Sequence, residues 1–551
     1  MKRLNIFTTL SLLLLGLTAT DASAQSTRRV EVSKAYAPEV SVATKLVAPT
    51  DIEMSSIESD DITYDIRPDT WRTVLNAYDY KPATATYWDF NRSTPFHIHA
   101  SAGYPLSSDV EARYIMQSSK VGYFGVGITH SGDFAARHSA EGVKRNIGNS
   151  FSMSNGVDLM GAVIFDNRIL EATASYDYDI FNRYAEIATP ARLHFHDANI
   201  SVRFGDSFAN LKRLNFSVEA HAGYWHHRLP SSLDNISAYG EFNVGAEATL
   251  ARIFKKSRVD ITATYDMWRG GAIYGDMRFG VDVGYARRFK FVNVEVGIGY
   301  MYDKVSGCGK ASHHFLPHAK ALFDLKIDAF TPYIEVDTKV GQNGVASLYK
   351  RNPYIDFGYM SSIFANTPND LSYNLTAGFL GNVNTRFAYR VYAGANFVRD
   401  YLTFYINREG VFAVATGSNI RLVYGAELEY LPIGGLRLGA SIFGYWDDGS
   451  MKYVDNKPIF EADLFAEYTL RRWKFHITSD FIGTRRWTSI IDDTIYSDKT
   501  KVDLGVGVSF DVTNDINIYL EGNNLLNSKI YDYAYYYRSG IGVQAGVKID
   551  F

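Results

Sequence analysis

Imidazole and thiol groups are the side chains here best suited to chemistry, and several of them bunch together. Cys308, the single cysteine among 551 residues, is followed by His313, His314 and His318. Nitrogen and sulfur donors at such short spacing are what a borderline metal ion, or the iron of a haem, takes as ligands. His194, His196, His221, His226 and His227 fall toward the same ends of their segments, while His97 and His99 share a face near the start of the patterned region. No carboxylate or histidine spacing repeats among them, and loop histidines are common polar surface groups. His313, His314 and His318 are therefore candidates for a metal or haem site, weighed against a plain surface role. Catalytic nucleophiles are harder to find. No Gly-x-Ser-x-Gly elbow, Ser/His/Asp order, phosphate loop or dinucleotide fingerprint stands out, so the chain reads as a non-enzyme with no cofactor and no catalytic residue. Arg485-Arg486-Trp487 and the run from Tyr531 to Arg538 set cations beside aromatics, which suits a membrane interface better than a cofactor box.

The elements that must position these groups are strands. Val502, Leu504, Val506, Val508 and Phe510 alternate with Asp503, Gly505, Gly507 and Ser509, so one face is apolar and the other polar or tiny. The same period of two runs through Ile516, Ile518 and Leu520, and again from Ile541 through Val543, Val547 and Ile549 to Phe551. Upstream it recurs in Leu214 to Tyr224, Phe279 to Tyr285 and Val292 to Tyr300. A whole chain built this way, with no apolar run long enough for a helical span after the leader, predicts an all-β transmembrane fold: one closed antiparallel outer-membrane barrel. The mean hydropathy of -0.15 fits, because half of each strand faces a wet lumen. So do 39 Tyr and 44 Gly, since aromatics collect at both membrane interfaces.

Residues 1–24 carry the marks of a secretory signal peptide. Lys2 and Arg3 open it, Leu10 to Leu17 form a short apolar run, and Ala22-Ser23-Ala24 precede a cleavage point between Ala24 and Gln25. Residues 25–93, with four prolines and an acidic stretch, read as an extended periplasmic or lumenal segment, and 94–551 as the barrel. The formal charge of -4 is small for this length, so no nucleic-acid partner is expected. Lone Cys308 excludes a disulfide framework.

Short and long connections alternate. Short ones fall at Asp166-Asn167, Phe254 to Lys256, Arg287 to Lys290, Asn382 to Thr385, Pro432 to Gly435, Arg471 to Lys474 and Thr513 to Asp515; long ones fall near 131–150, 226–240, 303–313, 344–370, 446–458, 486–500 and 527–540. Counting back from Phe551 with the short turns in the periplasm leaves about 22 strands (20–22), provided Thr403 to Ala415 is an outer hairpin and not two spans. A barrel of that size is too wide for its own wall side chains to fill. Inward positions Glu219, Asp282, Glu295, Glu427, Glu429, Asp503, Glu521, Arg421, Arg437 and Lys548 carry both signs, which predicts a wet lumen of mixed charge.

Glu521-Gly522-Asn523-Asn524-Leu525-Leu526-Asn527, a Tyr-rich loop and a last strand ending in Phe551 resemble the closing hairpin of TonB-dependent outer-membrane receptors. The resemblance covers Phe96 to Phe551 by architecture and about the last forty residues by motif. It implies a receptor-like barrel taking part in solute uptake or passage in the outer membrane of a Gram-negative bacterium. Asn523, Asn524, Leu525, Leu526, Asn527 and Phe551 would be its barrel-closing motif, and outer-membrane lipid and the barrel-assembly machinery its partners. Specificity would rest on loops 344–370, 398–417 and 527–540. The chain departs from that family in having only residues 25–93 where a globular plug is usual, and so looks similar to plugless, Bacteroidetes-type barrels. Either that segment enters the lumen or a periplasmic or plugging partner seals it, and TonB coupling is left open. Two other readings stand beside this one: a non-transporting scaffold barrel anchoring a partner complex, and a haem or metal receptor.

Overall fold

The computed structural model describes residues 95–551, apart from 119–120, 136–149, 166–167, 184, 186–190, 209–210, 229–237, 271–273, 307, 309–310, 328, 357–367, 409, 450–452 and 455. The signal peptide, its cleavage point and the segment 25–93 lie outside the described residues.

Alternation of apolar and polar residues gives twenty-six strands among the described residues. They are β1 (Phe96–Tyr104), β2 (Ser107–Ser118), β3 (Gly122–Asp133), β4 (Ser152–Phe165), β5 (Arg168–Arg183), β6 (Ala191–Asp206), β7 (Asn215–Arg228), β8 (Ala238–Phe254) and β9 (Ser257–Gly270). Next come β10 (Tyr274–Arg288), β11 (Val292–Val305), β12 (Ser312–Phe323), β13 (Thr331–Val340), β14 (Leu371–Val383), β15 (Phe387–Arg408), β16 (Val411–Tyr430), β17 (Leu436–Asp447), β18 (Phe460–Leu470) and β19 (Trp473–Ile482). The last are β20 (Arg485–Ser489), β21 (Thr494–Asp498), β22 (Lys501–Asp511), β23 (Ile516–Asn523), β24 (Tyr531–Tyr533), β25 (Tyr536–Tyr537) and β26 (Gly542–Asp550). β20 with β21 and β24 with β25 are hairpins in loops, and the other twenty-two strands form the wall. Wall neighbours run antiparallel, β19 bonding to β22, β23 to β26, and β26 back to β1. At that final seam Phe96 and Phe551 exchange both backbone hydrogen bonds, at 2.8 and 3.0 Å, and their rings stack at 5.5 Å.

The outward face is the apolar one. Ile128, Leu159, Ile200, Leu250, Ile298, Leu422, Ile477 and Leu520 are exposed around the wall. Aromatics flank this band: Phe165, Phe254, Phe291 and Trp473 toward the short turns, Tyr176, Tyr224, Tyr300 and Trp446 toward the loops. In water so much exposed apolar surface would be untenable; against lipid it is the stable arrangement. The closed belt places this chain in an outer membrane, since a strand-built wall can cross lipid only when no edge is left unpaired.

The predicted short turns lie between the wall strands as expected, except that Asp166-Asn167 falls outside the described residues. Two outer connections differ from the expected alternation: β1 reaches β2 through Pro105 and Leu106 alone, and only 271–273 separate β9 from β10. The hairpin about Gly410 is an outer one, as parity demanded, but it is no separate element. It is the continuation of β15 and β16 past a bulge between Val398 and Tyr401, where Asp400 takes a φ of 58°.

Gly122 opens β3 with a φ of 135°, and a Cβ there would sit 1.8 Å from the Ala162 carbonyl oxygen. Both the backbone and the space demand glycine. Gly122→Ala is expected to cost on the order of 2 kcal/mol or more. The check is the fraction of purified protein that migrates as compact barrel on unboiled gels, which should fall against wild type.

Candidate functional site

Within the outer end of the wall, four loop pieces meet. The connection from β13 to β14 spans 341–370, of which 341–356 and 368–370 are described, and carries helix α1 (Val345–Arg351). Val345, Leu348 and Tyr349 share one helix face and are 0%, 0% and 2% exposed. They pack on the inner wall of β6 to β8: the Tyr349 ring lies 4.6 Å from His227, 5.7 Å from Trp225 and 5.8 Å from Phe195. The wall also satisfies the helix start, where backbone N–H groups lack intrahelical partners. Glu241 Oε2 accepts from the Val345 and Ala346 N–H groups at 3.1 and 3.4 Å. At the other end Lys350 reaches Asp197 at 2.5 Å, and buried Arg183 donates to the Ile355 carbonyl at 2.7 Å.

The extended tip of β15 and β16 lies over this helix. Leu402, Ile406, Phe412 and Ala413 are 0% exposed, so the tip is covered on both faces. Its edges are paired too. Ile406 aligns with Ser489 of β20 on one side, and Phe412 bridges Ile355 on the other, with Asp356 N–H donating to the Phe412 carbonyl at 2.8 Å. The last loop locks the arrangement: Tyr536 stacks on Tyr354 at 3.5 Å and donates to the Gly410 carbonyl at 2.6 Å. Tyr533 donates to the Arg351 carbonyl, and burial pushes its phenol up to about 12. α1, the β15–β16 tip, β20 with β21, and β24 with β25 thus form one lid with an apolar interior.

The foot of the lid is tied by polar groups. Asn369 donates to Asp276 and Asp303 at 2.9 Å each, and Arg278 binds both Asp276 (3.2 Å) and the Gly341 carbonyl (2.7 Å). Such buried groups are costly unless paired, so together they fix where residues 341 and 369 leave the wall.

Glu241→Ala would leave two helix N–H groups without their acceptor, a loss of about 1–3 kcal/mol concentrated in the lid. Limited proteolysis of intact protein should then cut faster between 341 and 370, with the compact barrel unchanged on unboiled gels.

Below the lid the inner wall departs from the mixed charge that the sequence predicts. Asp177 stands opposite Asp197 and Glu219 opposite Glu247, with Asp158, Glu171, Asp260, Asp266 and Asp282 on the same side of the lumen. Cations there are few and engaged: Arg203 on Glu171 (3.2 Å), Arg258 on Asp260 (3.1 Å) and Lys350 of the lid on Asp197. The ten inward positions named from the sequence include three cations. Register now shows that Arg437 is absorbed by Glu429 and Glu467 at 2.6 and 3.0 Å.

The histidine candidates do not converge. His313 faces outward and bonds Tyr300 Oη through Nδ1 at 2.7 Å, His314 is buried inward 3.7 Å from Asp303, and His318 faces the lumen 3.4 Å from Asp282. Among the described residues no three His, Cys, Asp or Glu side chains are grouped to hold a metal ion. Cys308 is half-buried at the edge of the lid, where burial raises its thiol. His97 and His99 share the inward face, bonded to Asp550 and Tyr519 at 2.6 Å each.

The Asn-Leu-Leu-Asn motif is a turn. Asn524 and Asn527 adopt φ of 49° and 51°, where Asn is better tolerated than most residues. The Asn524 amide donates to the Ser528 and Ser539 carbonyls at 2.9 and 3.0 Å, tying both ends of the last loop together. Leu525 N–H donates to the Leu504 carbonyl at 2.9 Å. Nothing in the sequence marks wall residue Glu241 or lid residue Leu348 for these roles, whereas the unbroken apolar run Val411 to Val414 is a usable signal for Phe412.

Solved structures share this fold. The FrpB iron transporter from Neisseria meningitidis (F3-3 variant) matches with a TM-score of 0.66 and 12% identity over 84% of this chain and 82% of its own. The copper transporter OprC matches with a TM-score of 0.62 and 13% identity, over 83% and 80%. The ferripyoverdine receptor of the outer membrane of Pseudomonas aeruginosa, bound to ferripyoverdine, matches with a TM-score of 0.61 and 12% identity, over 84% and 72%. No protein-family model and no curated protein matches the sequence. The barrel fold expected from the closing hairpin is the fold observed.

Proposed function

We propose that this outer-membrane, receptor-like barrel takes part in solute passage and that its gate is its own lid. One observation carries the reading: loop pieces with an apolar interior pack inside the outer end of the barrel, seated on an inner wall that is polar and charged beneath them. A wall of that kind is suited to water and solute, and a closure made of loops can be undone without breaking the barrel. The three transporters and receptors of like fold support a role in moving or capturing small solutes.

The test is liposome swelling with a chain whose residues 343–368 are replaced by a short Gly-Ser linker, prepared with and without residues 25–93. Swelling in small sugars is expected once the lid is removed. If neither preparation admits solute, passage is ruled out. A stoichiometric partner lost on deleting 25–93 would then identify the chain as a scaffold.

A further inference from the structure

The outward face of β5 to β7 breaks its apolar pattern at the loop end. Ile200, Val202 and Phe204 of β6 point to lipid, and two-residue steps along the same face lead to His196, His194 and Arg192. Across the ladder His226 stands opposite His196, and Arg228 opposite His194. Five basic side chains from two neighbouring strands therefore form one patch just above the lipid-facing band. Arg192 and Arg228 are exposed, and among the described residues none of the five has a carboxylate within ion-pair distance. Arg192 lies over the Phe151 ring at 5.0 Å and donates to Asn182 Oδ1 at 3.3 Å, both neutral partners.

The patch is also ordered. Tyr178 bonds His194 Nδ1 at 2.7 Å, and Tyr176 bonds His196 Nδ1 at 2.8 Å. Tyr178 stacks on His196 at 4.6 Å, and the His196 and His226 rings lie 5.9 Å apart. Where the phenol donates to Nδ1, the ring proton sits on Nε2 and leaves an N–H donor. Cations at the edge of a low-dielectric slab, without a counter-ion among the described residues, suit an anionic group of the membrane. Guanidinium groups match phosphate oxygens in a two-pronged geometry, with imidazole N–H groups as flanking donors.

We propose that Arg192, Arg228, His194, His196 and His226 bind the phosphate of a phosphorylated lipid of the outer leaflet, whose acyl chains lie along Ile200 and Val202. The lipid is favoured over free phosphate because the same face runs without interruption into the apolar band.

Full-length protein in detergent is titrated with diphosphoryl lipid A and read by native mass spectrometry. One lipid is expected to bind. The Arg192→Gln, Arg228→Gln double variant should weaken binding about thirtyfold, taking twice the usual contribution of a basic side chain at an anionic surface. Arg192→Lys with Arg228→Lys should retain most of it. Compact migration on unboiled gels verifies folding, and His194→Gln with His196→Gln gives a second, milder variant expected to weaken binding. The proposal is overturned if the Gln variants bind as wild type does, or if dephosphorylated lipid A binds equally well. Displacement by millimolar inorganic phosphate would overturn it too, by reducing the patch to a site for an adventitious ion only.

Discussion

Leu348→Asp is expected to turn a silent barrel into a conducting one. Leu348 is 0% exposed at the centre of the lid, between the inner wall and the β15–β16 tip. A carboxylate placed there would be buried in the apolar interior of the lid, at a cost of several kcal/mol. That penalty falls on the lid alone, because the wall is held by its own ladder of backbone bonds, so the lid opens while the barrel stays intact. The negative wall beneath adds repulsion. Single-channel recording in planar bilayers should show steady open currents for the variant against rare or no openings for wild type, with both migrating as compact barrels when unboiled. Leu348→Met, which keeps volume and apolarity, should stay closed. Silent Leu348→Asp channels in a chain also lacking residues 25–93 would mean that the lid is not the gate.

Once open, the pore should prefer cations. Asp177 opposite Asp197 and Glu219 opposite Glu247 place like charges on adjacent strands, and the nearby cations are already paired. An excess of carboxylates along one side of the lumen raises the local cation concentration and repels anions. Under a salt gradient near 0.1 M, the reversal potential should correspond to a sodium-to-chloride permeability ratio of about 5 or more, falling toward about 1–2 near 1 M as the screening length shrinks to about 3 Å. Replacing Asp177 with Asn and both Glu219 and Glu247 with Gln should pull the low-salt ratio down by about half or more. An anion-preferring pore in the parent would contradict this account of the wall.

Period-two alternation made the wall legible, because lipid on one side and water on the other leave each strand residue little choice. Parity did the rest, assigning the hairpin at Gly410 to the outer side without any contact information. What stayed hidden depends on contacts between residues far apart in the chain. Glu241 caps a helix more than one hundred positions downstream, and nothing near Glu241 in sequence marks it for that task. The lumen charge was misjudged for a related reason: composition on a face is visible, whereas which charges neutralise each other depends on register. Arg437 reads as a free cation in the sequence, but the fold sets it between Glu429 and Glu467.

The tip of β15 and β16, with buried apolar residues on both of its faces, would give the proposed gate a thermal signature. Opening must wet Leu402, Ile406 and Phe412, and newly hydrated hydrocarbon raises heat capacity. The open probability of wild type should therefore follow a curved van't Hoff plot, with a minimum at some intermediate temperature and rising leakage on either side of it.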